Sequence, residues 1–170
     1  VHAALAACAQ TGTPLTSRGA GTSIAGNAIG TGVVLDFSKH LSKVLAIDPT
    51  TSTAQVEPGV VHARLQAAAK PSGLRYGPDP STHTRCTVGG MIGNNACGNR
   101  ALGYGRSADN IAALDLLTVG GERLQVGRDV TVTSDRLEQV RGLVDANPAT
   151  IRTEFGRFGR QVSGYSLEHL

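Results

Sequence analysis

Apolar positions recur at helical spacing in "VHAALAACAQTG" (1–12), which predicts a helix ending at Gly12, a residue that takes the left-handed cap without strain. "PLTSR" (14–18) follows as a short strand, and a glycine-rich loop comes next. Three β-branched or alternating runs, "GVVLDF" (32–37), "KVLAID" (43–48) and "TAQVEP" (53–58), predict strands bounded by turn residues. "VVHARLQAAAKPSG" (60–73) is an amphipathic helix closed by Pro71 and Gly73. Residues 77–105 show little regular pattern apart from a short helix around "GGMIGNNA". "NIAALDLLTVGGERLQV" (110–126) predicts a hairpin turning at Gly120–Gly121, and "SDRLEQVRGLVDAN" (134–147) a helix capped by Ser134 or Asp135. The order is αβ, a β-meander, α, a long loop, a hairpin and helices. That is an α+β arrangement, not the alternating βαβ of a doubly wound sheet.

The 170 residues suffice for one domain with a core or for two small lobes. The net charge of +3 is spread along the chain, and aromatic residues make up 4% with no Trp. Neither a basic stripe nor a stacking platform is available, so nucleic acid is excluded as a partner. Cys8, Cys86 and Cys97 are odd in number and have no zinc-site spacing, which implies a reducing, cytoplasmic compartment and no metal. No stretch approaches a membrane span and no signal peptide is visible. The chain opens at Val1 inside a helical pattern and stops in "SGYSLEHL" without a cap, as expected of a piece of a longer protein.

Glycine is unevenly placed along the chain. The 22 glycines concentrate in residues 19–32 and 89–105. In "TSRGAGTSIAGNAIGTGVVLDF" (16–37), Gly21 and Gly26 have Walker-loop spacing, but Asn27 and Ala28 stand where Lys and Ser/Thr belong. Gly19 and Gly21 open a dinucleotide fingerprint whose third glycine is replaced by Ile24. Both motifs need a helix after the glycines, and "GVVLDF" is a strand. The loop therefore joins two strands, and its successive N–H groups can still form a nest for an anion. In the second segment Gly89, Gly90, Gly93 and Gly98 accompany Asn94 and Asn95, which let a flat ring or ribose approach the main chain and offer donors and acceptors. "GPDPST" upstream is a Pro-stiffened turn. Two such segments in one small domain point to an elongated ligand with a polyphosphate end and a heterocyclic end.

In this order "RGAGTS…G…GVVLDFS", "V.PGV", "GPDPST", "CTVGGMIGNNACG", "YG…ADNI" and "SGY.L" resemble the FAD-binding domain of the vanillyl-alcohol oxidase and p-cresol methylhydroxylase superfamily. The branch they resemble most is that of D-lactate dehydrogenase (cytochrome) and the glycolate oxidase flavin subunit. The resemblance runs from about Pro14 to Leu170. It implies a two-lobed FAD-binding domain, lacking the family's first strand and its later segments, with residues 1–75 as a first lobe and 76–170 as a second. Gly19, Ala20, Gly21, Thr22 and Ser23 would wrap the pyrophosphate, and Gly26 and Asn27 would finish that loop. Pro78, Asp79, Ser81 and Thr82 would lie along the flavin. Thr87, Gly89, Gly90, Asn94, Asn95, Ala96 and Gly98 would hold flavin, ribityl and phosphate. Superfamily members often attach the flavin to a histidine just after the first glycines; Thr22 stands there, which implies a dissociable FAD.

The resemblance further implies oxidation of a 2-hydroxy acid, with hydride passing to the flavin and electrons to an acceptor. The alternatives are the same fold acting on a sugar, alcohol or nucleotide-sugar, and a non-catalytic nucleotide-binding module. The substrate domain is expected to lie outside this sequence, as is the iron–sulfur domain that some members of the branch carry. Peripheral contact with the inner membrane is compatible with this reading. No residue reads as a general base. His83 is expected to be a solvent-facing loop residue, His62 a surface or boundary residue of its helix, Arg160 a solvated cation, and Cys97 a small packing residue. Arg18 is expected to pair with phosphate or with an acidic neighbour, and Asp109–Asn110 to cap the turn into the next strand.

Overall fold

The computed structural model describes residues 1–128, 130, 132, 134–155 and 165–169. Helix α1 spans His2–Thr11 and stops where Gly12 turns left-handed at φ 64°, with Thr13 N–H donating to Cys8 O at 3.0 Å. Strands β1 (Leu15–Arg18) and β2 (Val33–Asp36) pair in parallel, in the register Leu15↔Val33 to Arg18↔Asp36. β2 thus pairs with β1 and not with β3, which corrects the meander expected of β2, β3 and β4. Loop 19–32 is long enough to return the chain to the start of β1, which a parallel pair requires, and it does so without a helix. Strands β3 (Val44–Asp48) and β4 (Thr53–Val56) form an antiparallel hairpin with an irregularity between Val44 and Ala46. Strands β5 (Ala113–Leu117) and β6 (Arg123–Gly127) form a second hairpin, and Gly121 at φ 82° makes its turn.

Helix α2 covers His62–Ala69 and tightens into a 3₁₀ turn at Lys70–Ser72 before Gly73 ends it at φ 69°. Val60 and Val61 do not belong to it. They are extended and laced to the start of helix α3 (Val88–Gly93): Val88 N–H donates to Val60 O at 2.8 Å, and Val61 bridges Thr87. The lacing continues as Gly89 N–H to Pro58 O at 2.8 Å and His62 N–H to Cys86 O at 2.9 Å. Gly59 fits because a Cβ there would collide with the Phe37 and Leu41 carbonyls. Val60, Leu65 and Val88 form the core, with Val44, Val56, Tyr76 and Ile92 packed against them. One apolar cluster thus ties the β3–β4 hairpin, α2 and α3 together.

Two helices have no counterpart in the sequence pattern: α4 (Ala101–Tyr104), a single turn, and α6 (Pro148–Glu154), which restarts at Pro148 directly after α5 (Asp135–Ala146). Ser134 holds the N-cap position of α5, but its hydroxyl is buried and makes no cap bond. Asp109–Asn110 shape the turn before β5: Asp109 accepts from Arg106 N–H at 2.7 Å, and Asn110 donates to the Tyr104 and Arg106 carbonyls.

Leu65 is 4% exposed at the centre of the cluster. Leu65→Ala is expected to lower the unfolding free energy by about 2–5 kcal/mol, as measured by urea titration.

Candidate functional site

The first glycine loop has spare donors. Among the described residues, no backbone N–H from Ala20 to Ala25 donates a hydrogen bond within the chain. Gly21 and Gly26 sit at φ 70° and 77° with nothing within 4 Å of where a Cβ would be, so the loop presents open main chain. Both ends of the loop are tied to the second segment. At Gly19 a Cβ would overlap the Thr87 side chain, so the absence of one lets the loop lie directly on Thr87. At the far end, Asn27 Nδ2 donates to Asn94 Oδ1 at 3.3 Å. Arg18 does not face the loop; it pairs with Asp36 at 3.2 Å. The Ser38 hydroxyl and N–H, donating to Asp36, hold that carboxyl below its usual range, with smaller help from Arg18.

The second segment is held mostly by its own hydrogen bonds. Thr87, 2% exposed, caps α3 by accepting from Gly90 N–H at 3.4 Å. Asn94 Nδ2 donates to Gly90 O at 2.9 Å, and Asn95, at φ 45°, accepts from Ala108 N–H at 3.0 Å. Ala96 O accepts from both the N–H and the hydroxyl of Ser107 at 2.8 Å. Gly89 and Gly98 turn their Cα hydrogens inward: a Cβ at Gly89 would press on Pro58, and one at Gly98 would collide with Asp79 O.

Between the two segments lies a cleft of about 320 Å³. Of the residues expected at a site, Thr22, Ser23, Thr82, Gly90, Asn94 and Ala96 line it. Gly19, Asn27, Thr87, Gly89 and Gly98 stand behind the walls and hold them together. Pro78 is buried and accepts from His62, Asp79 faces a group of cations, and Ser81 is exposed. The sequence missed Ile24, Ala25, Pro80, Cys86 and Met91, which also line the cleft. Cys86 and Met91 carried a readable signal, since they bracket the α3 cap Thr87 and share its buried side. Burial pushes the Cys86 thiol up, so it is a neutral wall group and not a thiolate nucleophile. Ile24 is fully exposed at the cleft mouth.

His62 is not a surface residue. It is 1% exposed, because the extended Val60–Val61 strap starts α2 inside the core. Its Nε2–H donates to Pro78 O at 2.8 Å, fixing the tautomer and leaving Nδ1 as a buried lone pair with no partner among the described residues. Gln66 clasps the Tyr76 main chain through both amide atoms, at 2.7 and 3.1 Å. His83 lies in the loop and is half-exposed, as expected, with Nδ1 3.9 Å from Asp79 Oδ1. Cys97 is partly buried, and Arg160 lies outside the described residues.

Two outcomes follow. Gly19→Ala is expected to destabilise the chain, and adding Thr87→Ala, which removes the overlapping atoms, to recover part of the loss; urea unfolding of all four members of the cycle measures the coupling. Burial lowers the His62 pKa below 6.5, so below that pH the unfolded chain takes up a proton that the folded chain refuses. Stability is therefore expected to fall as pH drops through and below 6.5, and His62→Gln to remove that part of the slope.

Residues 1–127 match a family model described as an FAD binding domain. The chain is 34% identical over 170 residues to a D-2-hydroxyglutarate dehydrogenase of Pseudomonas putida, an alignment covering 92% of this chain and 17% of that protein. It is 37% identical over 131 residues to glycolate oxidase subunit GlcD of Escherichia coli, covering 76% of this chain and 26% of that protein. The chain thus spans only a fraction of the length of these relatives. Among solved structures, 6-hydroxy-D-nicotine oxidase from Arthrobacter nicotinovorans superposes with a TM-score of 0.68 at 25% identity, over 75% of this chain and 27% of that one. An alkyldihydroxyacetonephosphate synthase superposes at 0.65 with 20% identity, over 76% and 25% of the two chains, and shows the fold alone. With well over half of its length matched, and with two glycine-rich segments meeting at one cleft, the chain belongs to the FAD binding domain family.

Proposed function

We propose that this chain positions FAD within an oxidoreductase that oxidises a 2-hydroxy acid at its α-carbon and passes the electrons to an acceptor. The observation that carries the reading is the open run of N–H groups from Ala20 to Ala25 at the mouth of a cleft walled by Thr82, Gly90, Asn94 and Ala96. These residues fit FAD: the loop offers donors and no acidic side chain to a pyrophosphate, and the cleft offers a mostly apolar wall to a ring. Hydrogen bonds to a charged group contribute about 1.5–3 kcal/mol each, so a few of these donors supply much of a micromolar affinity.

In this reading Gly19, Ala20, Gly21, Thr22 and Ser23 hold the pyrophosphate, with Gly26 and Asn27 closing the loop. Thr82 and Gly90, together with Asn94 and Ala96, face the bound cofactor. Pro78, Asp79 and Ser81 shape the turn along the flavin, while Thr87, Gly89, Asn95 and Gly98 keep the two segments at their spacing. When bound, FAD supplies the hydride-accepting ring. The chain's own residues bind it, orient it and exclude water from one side. No side chain here is assigned as catalytic base.

The substrate class rests on the relatives, whose names specify D-2-hydroxyglutarate and glycolate, both 2-hydroxy acids. Three free cysteines accord with a reducing cytoplasm, where the acceptor would be met in solution or at the inner-membrane surface. Among the described residues no helix is long and apolar enough to cross a membrane. Thr22 carries no imidazole that could bond the flavin ring, which supports a dissociable cofactor.

The protein reconstituted with FAD is expected to show flavin bands that move into the supernatant on acid precipitation. Colour retained in the pellet would overturn the dissociable cofactor, and failure to bind FAD would overturn the site. In the protein that carries this chain, a 2-hydroxy acid is expected to bleach the flavin band anaerobically; bleaching by a sugar or simple alcohol alone would overturn the substrate class.

A further inference from the structure

The stretch from Pro58 to Ser107 carries Arg64, Lys70, Arg75, Arg85, Arg100 and Arg106 against one acid, Asp79. The chain as a whole is only at +3, so, contrary to the even spread expected above, the positive charge is concentrated in the segment that builds the site. Part of it gathers in a groove of about 320 Å³ along α2, where Lys70, Arg75 and His83 stand around Asp79. Asp79 is shared three ways, with Arg100 at 3.6 Å, Arg75 at 3.9 Å and His83 at 3.9 Å. Lys70 is exposed and has no carboxylate partner among the described residues. One carboxylate cannot neutralise Lys70, Arg75 and Arg100, so the groove keeps a net positive field. Arg75 is held in place, its guanidinium carbon 5.8 Å from the centre of the Tyr104 ring.

The groove and the cofactor cleft share a wall. Around the turn that follows Gly77, Asp79 and His83 line the groove, and Pro80 and Thr82 line the cleft. The turn is tight, with His83 N–H donating to Pro80 O at 3.0 Å and Cys86 N–H to Thr82 O at 2.8 Å. A group seated in the groove is therefore separated from the cleft by a single turn of main chain. Resting on the FAD reading above, we propose that this groove docks the anionic face of the electron acceptor that reoxidises the cofactor. The positive field steers the acceptor to the position from which electrons have the shortest way out. Reoxidation balances when reduced FAD gives up two electrons and two protons, one electron to each of two one-electron acceptors and the protons to solvent.

The test uses hexacyanoferrate(III), a trianionic one-electron acceptor, with ferrocenium as a cationic one. The FAD-loaded protein is photoreduced anaerobically and mixed with each at low ionic strength. Lys70→Glu/Arg75→Glu is expected to slow reoxidation by hexacyanoferrate(III) at least about tenfold while leaving the flavin spectrum unchanged, and not to slow ferrocenium. Arg123→Glu, a single charge reversal on β6, is expected to slow neither. Equal rates in wild type and double variant, or the same slowing from Arg123→Glu, would overturn the proposal. A second readout needs no flavin: the redox-inert hexacyanocobaltate(III) is titrated into the labelled chain and followed by amide shifts. Shifts at Lys70, Arg75 and His83 that the double variant abolishes support the groove; none there, or shifts elsewhere only, overturn it. If the chain bound no FAD, the function proposed above would fall, and the titration would still decide whether the groove takes an anion.

Discussion

Segments 58–62 and 86–89 run side by side, and the hydrogen bonds between them bring the two halves of the site within reach of each other. Val88 N–H on Val60 O, His62 N–H on Cys86 O and Gly89 N–H on Pro58 O fix the start of α2 against the start of α3. Val60 and Val88 bury their side chains at the same junction and keep water from competing for those bonds. Everything that faces the cleft hangs from this seam. Thr87 lies within it, Gly19 rests on Thr87, and the loop from Ala20 to Ala25 extends from Gly19 over the opening. The geometry that presents free N–H groups to a ligand is thus set by an apolar junction on the far side of the wall.

The spacing of the two segments depends on close approach as much as on hydrogen bonding. Gly19 and Gly98 each occupy a place where a methyl group would meet another segment, Thr87 in one case and Asp79 O in the other. Glycine here serves interlocking, whereas Gly21 and Gly26 serve left-handed backbone in open space. The same residue type does two jobs in one site, and sequence spacing alone does not separate them.

That distinction marks how far the sequence could be read. The end of α1 at Gly12 and the hairpin at Gly120–Gly121 were legible because a left-handed glycine after a periodic run has few other meanings. The strands were legible as strands, but the parallel partnership of β1 and β2 was not, since alternation along a strand says nothing about its neighbour's direction. Helix α4 is a single turn without periodicity, and α6 is hidden because Pro148 reads as the end of α5 as readily as the start of another helix. His62 was misplaced because its burial comes from the Val60–Val61 strap, a tertiary feature absent from the helical pattern. In the site the glycine loop announced itself by composition. Met91 and Cys86 flank the α3 cap Thr87 in the sequence, but the spacing does not say which side of that cap faces a ligand, and their place in the cleft wall is set by the lacing.

The parallel pairing of β1 with β2 has a consequence for how the chain reaches its native state. A hairpin such as β3–β4 closes over a few residues, whereas β1 and β2 meet only after the whole of loop 19–32 has been brought round, with no helix to stiffen the path. The chain entropy of that closure must be met before the pair's hydrogen bonds compensate it. By this measure the β1–β2 pair costs more chain entropy to close than the β3–β4 hairpin. The element that carries the ligand-binding loop is therefore the one whose formation a bound pyrophosphate, bridging the loop's N–H groups, would most directly complete.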